Sequence, residues 1–297
     1  MPVPSLWMNY CSRIARIIGL LALATLLAGC SAIKLAYNNL DDIAYWWMDS
    51  YVDFNDEQSP RVRADLARIH RWHRQQELPQ LASLLKSIEQ LAPADISASQ
   101  VCAFEPRVRE RVAAVTSYGE PQVVSLALSL APEQLAHLER KFDRTNSDYS
   151  KEWLRIDATS MRDKRFEKML ERAEMVYGSL DDRQKAVLRA EIDRSVFDPR
   201  RAFDEQRRRQ QDLLQVLRQI QSQRMDATQA TTALRAYLQR SQESPDPAYR
   251  AVQLALIQET CSMTAMLHNS TTAAQRDVAT RRLRAWQRDL KELNAKP

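Results

Sequence analysis

Residues 132–178 read PEQLAHLERKFDRTNSDYSKEWLRIDATSMRDKRFEKMLERAEMVYG, and this stretch decides the fold class. Between Pro132 and Gly178 no Gly or Pro interrupts a run rich in Leu, Arg, Glu, Lys and Met, all good helix formers. Pro132 suits the first turn of a helix, where its missing N–H costs nothing, and Gly178 suits the C-terminal cap. The 46 residues before Gly178 are therefore expected as one helix, about 70 Å long at 1.5 Å per residue. Leu135, Phe142, Tyr149, Ile156, Leu170 and Tyr177 sit at multiples of seven, with Asp163 the one break. The intermediate row, Leu138, Thr145, Glu152, Thr159, Phe166 and Ala173, is half polar, which argues against a sustained coiled coil. A long helix packed along one seam, and kinked near Asp163, is the expectation.

The rest of the chain agrees. Only four glycines occur, and beyond residue 29 only Gly119 and Gly178. Sheets need glycine at hairpin turns and bulges, and no Asn-Gly or Asp-Gly pair is present. The fold class expected is all-α: an elongated multi-helix bundle with one long central helix. A recurring start signal marks several helices: Phe54 to Gln58, Leu130 to Gln134, Leu180 to Gln184 and Met225 to Gln229. Each has an apolar residue, a cap position, and Gln three residues after the cap. That is the spacing of a capping box, in which the cap side chain accepts an orphan N–H while Gln reaches back. Ala131 lacks the acceptor and leaves Pro132 as the signal. Later helices are expected over about 199–222, 226–241, 247–268 and 272–293, with Asp198-Pro199 and Ser244-Pro245-Asp246-Pro247 as boundaries. The Arg207-Arg208-Arg209 run reads first as a solvated helix face, and second as a contact for anionic headgroups.

The N-terminus carries the most specific signal. Arg13 and Arg16 precede an apolar run from Ile17 to Leu27, 11 residues long. That is too short to span a bilayer and right for a signal-peptide core. The following Leu27-Ala28-Gly29-Cys30 resembles a bacterial lipobox. The resemblance implies that the Cys30 thiol is acylated and that residues 1–29 are then removed. Met8 would serve as a start as well as Met1. Ser31 is not the aspartate that by family rule retains lipoproteins at the inner membrane. The expected address is therefore the periplasmic face of the outer membrane, with the lipid on Cys30 as anchor.

Cleavage would leave 30–54 as a lipidated N-terminus with an aromatic-rich first helix, and 55–297 as the helical domain. Removing Arg13 and Arg16 from 43 basic residues leaves 41 against 38 acidic ones, interspersed along the chain. So small an excess gives no argument for nucleic acid. Cys11 departs with the leader and Cys30 takes the lipid, so Cys102 and Cys261 remain. In an oxidising compartment two such thiols usually pair; two buried free thiols are the alternative.

The first helix carries Tyr45, Trp46, Trp47 and Tyr51. Trp and Tyr favour the headgroup zone, where the ring is apolar and one edge is wet. These aromatics suit membrane or partner contact, or else packing into the core. His70, His73 and Glu77, at offsets of zero, three and seven, share a helix face on which they could hold zinc or copper. The bland reading is two surface or lipid-proximal histidines and an ion-pairing carboxylate, near a point where Pro79 ends or bends the helix. No Gly-rich phosphate loop, Gly-x-Ser-x-Gly elbow, His-Glu-x-x-His or Cys-x-x-Cys is present.

Gly29-Cys30-Ser31, Tyr37-Asn38-Asn39-Leu40, Tyr45-Trp46-Trp47 and the Trp72 to Pro79 segment together resemble an uncharacterised family of proteobacterial lipoproteins. That resemblance implies location and a helical fold but no activity. The repeated apolar-x-x-x-Gln starts are similar to the Leu-Thr-x-x-Gln motif of Spy-type periplasmic chaperones, although no copy has Thr at the cap. This second resemblance implies ATP-independent association with envelope proteins or unfolded clients. The reading expected is a non-enzymatic binding, scaffold or chaperone-like module with no cofactor beyond the lipid. Metal binding through His70, His73 and Glu77 is the alternative.

Overall fold

The computed structural model describes residues 34–295, and among these no strand occurs. Residues 34–38 are helical and lead into α1 (Leu40–Val52). Next come α2 (Gln58–Trp72), a π-helical turn (His73–Glu77) and α3 (Leu78–Leu91). The short α4 (Ala98–Cys102) precedes α5 (Glu105–Ser129) and α6 (Pro132–Tyr149). A second π-helical turn (Ser150–Leu154) leads to α7 (Ala158–Tyr177) and α8 (Asp182–Arg194). The last four helices are α9 (Pro199–Ser222), α10 (Ala227–Gln242), α11 (Pro247–Ser270) and α12 (Ala273–Asn294). No described helix is long and apolar enough to cross a membrane. The fold is thus an all-α multi-helix bundle, and the ends of α9 to α12 fall where prolines and caps placed them. Residues 1–29 and Cys30 lie outside the described residues.

The stretch 132–178 is not one helix. It runs as α6, widens at Ser150–Leu154, opens at 155–157 and restarts as α7. Asp157 is the cause: its carboxylate accepts the N–H of Thr159 at 2.9 Å and of Ser160 at 3.0 Å, capping a new helix. The interruption lies six residues before Asp163, the position the heptad break suggested. Tertiary contacts use it. α6 packs on α1 and α9, whereas α7 packs on α8 and α12. Tyr149 closes the first segment by stacking on Phe203 at 5.4 Å and donating to Pro199 O at 3.1 Å. Gly178 ends α7 with φ +80°, a backbone conformation that favours glycine.

Pro79 does not end its helix either. The π turn lets Leu78 N–H reach His73 O, five residues back, and the chain continues into α3 with Pro79 in its first turn. The wider register absorbs a residue that cannot donate to the carbonyl four positions before it.

The Gln-containing starts do more than cap. Gln58 and Gln134 exchange amide hydrogen bonds, Gln58 Nε2 to Gln134 Oε1 at 3.2 Å and Gln134 Nε2 to Gln58 Oε1 at 2.7 Å. Each also donates across to a carbonyl two residues before its partner's cap: Gln58 to Ser129 O and Gln134 to Asp53 O. The same arrangement recurs between Gln184 and Gln275, which donate to Ser270 O and Ser179 O. Two pairs of helix starts are thus locked head to head, α2 with α6 and α8 with α12. The Thr272–Gln275 box has the same cap-to-Gln spacing but Thr271, not an apolar residue, before the cap.

One apolar core joins Val124 and Ala127 of α5, Leu135 and Leu138 of α6, Leu217 and Ile220 of α9, and Ala230 and Leu234 of α10. A second joins Ala173, Leu180 and Leu267. Cys102 and Cys261 are bonded, with Cα atoms 5.4 Å apart, tying α4 to α11. The Arg207-Arg208-Arg209 run is only partly a solvated face. Arg208 and Arg209 turn back onto buried Glu205, with N···O distances of 2.8 Å, and Ser244 Oγ donates to the same carboxylate at 3.0 Å.

Candidate functional site: the seat of the first helix

α1 presents two faces of opposite character. Inward, Tyr45 is buried, its hydroxyl donates to Ser59 Oγ at 3.0 Å, and the Arg63 guanidinium lies 3.5 Å over its ring. Tyr51 is half-buried against Phe142 of α6, with Lys141 over its ring. Outward, Trp46 and Trp47 are each 62% exposed and Ile43 is 50% exposed, with Leu35 and Leu40 beside them. The four aromatics singled out in sequence therefore separate: Tyr45 and Tyr51 pack inward, Trp46 and Trp47 face solvent. An amphipathic helix normally turns its apolar side inward, and two exposed indoles on one helix depart from that pattern.

The residues just before α1 are held by the π turn. Tyr37 O–H meets His73 Nδ1 at 2.8 Å and packs edge-on against the His70 ring at 4.9 Å. Burial pushes the Tyr37 hydroxyl up to about 12. Arg74 is buried; it donates to Asn38 Oδ1 at 3.1 Å and to Leu293 O at 3.2 Å. That guanidinium joins the first helix to the C-terminal end of α12, where cations meet unpaired helix carbonyls favourably. Lys34 adds ion pairs to Asp289 and Glu292, which hold its ammonium well above the usual range.

His70, His73 and Glu77 are all close to this seat, but each is committed to a different neighbour. His70 Nδ1 lies 3.4 Å from Asp41, His73 faces Tyr37, and Glu77 Oε1 lies 3.5 Å from Arg111. Among the described residues no group of three His, Cys, Asp or Glu side chains could hold a metal ion. His70 and His73 both pack on the Tyr37 ring, at 4.9 and 5.9 Å, so they stay on one side of the helix while their polar atoms turn to different partners. His70 Nε2 and Glu77 Oε2 are left buried without a hydrogen-bond partner, a local cost tolerated where the seat is closed.

Burial holds His70 and His73 below the ordinary imidazole value of 6.5, outweighing Asp41 beside His70 and Glu77 beside His73. His268 is lowered by burial too; it meets Ala94 O at 2.9 Å and the Tyr177 hydroxyl at 2.9 Å. Below 6.5 the unfolded chain binds protons that the folded rings resist. Stability contributed by these rings is therefore full above about pH 6.5 and falls as pH drops below it. Urea midpoints at pH 7.5 and 5.5 are expected to differ, with the lower value at pH 5.5, in a window where carboxylates stay ionised. A midpoint unchanged across it would mean that the rings are not held neutral.

No curated protein and no solved structure matches the chain. A family model described only as a family of unknown function, DUF6279, matches residues 50–250, from the end of α1 into α11. Since that match spans more than half of the sequence, the chain belongs to the DUF6279 family.

Proposed function

We propose that this chain is an acyl-anchored envelope protein, standing against the periplasmic face of the outer membrane and acting as a non-catalytic helical binding module. The carrying observation is the outward face of α1. Lys34, the first described residue, is four positions from Cys30, a reach of at most about 14 Å even fully extended. A lipid on Cys30 would therefore bring Trp46, Trp47 and Ile43 to the headgroup zone, where indole rings partition well. The inward side supports a rigid seat: Tyr37, Asn38 and Arg74 fasten this helix to α2 and α12. Support for a non-catalytic role comes from Tyr37, Arg74 and Lys34, whose bonds run to structural partners and a helix carbonyl.

The test is chemical. Mass spectrometry of the mature protein is expected to find an acylated Cys30 at the N-terminus. Membrane fractionation is expected to place it with outer-membrane markers, and Cys30→Ala should abolish both. A mature form beginning elsewhere, or recovery with inner-membrane markers, would overturn the anchor or the address respectively.

A further inference from the structure

Behind α1, on the side away from Trp46 and Trp47, lies a cavity of about 440 Å³ between α1, α2, α5, α9 and α10. Its wall is almost wholly apolar: Met48, Ile69, Val115, Val123, Leu234 and Leu238 contribute, with Gly119 leaving room on α5. Its charged lining residues are paired: Arg235 makes a bidentate pair with Glu120 at 2.7 Å, and Asp65 pairs with Arg68 at 2.7 Å. Ordered water needs about two to four polar partners, which the apolar wall does not supply. The volume lies within the roughly 300–1,000 Å³ range of small-molecule sites, and apolar walls with a few polar groups are their usual chemistry.

We infer that this cavity binds one fatty acyl chain of a single-chain lipid, its polar head resting beside the exposed Arg235 of the Arg235–Glu120 pair. At roughly 30 Å³ per water-sized group, 440 Å³ accommodates some fifteen such groups, the bulk of a long acyl chain. Arg235 is two-thirds exposed, so a head beside it stays in water while the chain lies against the apolar wall. Met48 lines the cavity from the same helix that shows Trp46 and Trp47 to solvent, so a lipid leaving a membrane under α1 has a short path inward. The choice of an acyl chain over other apolar molecules rests on the envelope reading above; the existence of a binding site does not.

The experiment uses the chain from residue 31 onward, which keeps every described residue and carries no lipid, with cis-parinaric acid as fluorescent probe. Saturable binding with one site per chain and Kd below about 10 μM is expected, a free energy near 7 kcal/mol in magnitude. Palmitic acid and a palmitoyl lysophospholipid compete in separate arms; displacement by one only identifies the head that the rim accepts. Gly119→Leu should weaken the probe at least tenfold. A Cβ there meets only Ile69 Cδ1, at 3.6 Å, and the helix gains a better former, so thermal stability should hold. Val115→Phe fills the same space from the next turn and serves if the first variant misfolds. Trp46→Ala with Trp47→Ala should leave probe binding unchanged, although membrane contact is lost. Absence of saturable binding, displacement by neither lipid, or equal affinity in folded cavity-filled variants would overturn the site. Failure of the anchor alone would leave these results intact.

Discussion

Replacing Cys102 and Cys261 together by alanine is expected to lower the folding free energy by about 4–5 kcal/mol, the largest loss from any local change in this molecule. The bond closes a loop of 159 residues, and loop-closure entropy removed from the unfolded chain grows with the logarithm of that length. The folded state depends on it locally as well. α4 has five residues, none of them buried, and a helix that short has no stability of its own. Its capping box at Ser97 and Gln100 orders one turn, and the bond to Cys261 seats that turn on α11. Urea denaturation of the wild type with and without reductant, beside the double variant, measures the effect. A difference below about 1 kcal/mol, far under the chain-entropy figure, would show that the unfolded chain is already compact around this link.

The second large effect is expected at the amide pairs. Gln184 is 1% exposed, and its side chain accepts from Asp181 N–H while bonding Gln275 and Ser270 O. Gln184→Leu preserves volume but strands the Asp181 N–H, the Ser270 carbonyl and half of the Gln275 amide. At about 1–3 kcal/mol for each buried group left unsatisfied, partly relieved by water at the rim, a loss of about 3 kcal/mol is expected. Gln275→Leu alone should behave similarly. The double variant should cost less than the sum, with a coupling of about 1–3 kcal/mol, because two partners removed together leave fewer orphans. Additive losses would show that each glutamine acts only as the cap of its own helix.

This pairing also says what three of the four repeated apolar-x-x-x-Gln starts do here; the fourth, at Gln229, only caps its own helix, and its place in the pairing is taken by Gln275. At Gln58, Gln134, Gln184 and Gln275 both amide atoms are used, one in the local cap and one across to another helix. Their spacing was legible because a capping box is local: cap, N–H and Gln lie within four residues, and no distant contact is needed to form it. Which start meets which was not legible, since three helices separate the start at Gln58 from that at Gln134, and three separate Gln184 from Gln275. The same division applies to the candidate site. A disulfide between Cys102 and Cys261 followed from counting; that it seats a five-residue helix did not. Tyr37 and the Trp72 to Pro79 segment stood out separately, and the structure joins them through His73 and Arg74.

The errors have one physical origin. Asp157 in a helix-favouring run looks like a solvated carboxylate, and it caps only because α6 and α7 are drawn to different partners. Pro79 looks like a stop, and the helix passes it because packing of α3 against α12 rewards continuation through a wider turn. Helical class, most helix ends and the bonded cysteines follow from interactions between residues a few positions apart, or from composition, and those are written in the chain directly. Breaks inside helix-favouring stretches, the partners of each start, the exposed indoles of α1 and the cavity behind it depend on contacts between distant segments. Their energies rival local propensities of about 1 kcal/mol or less per residue, so they emerge only when the helices assemble.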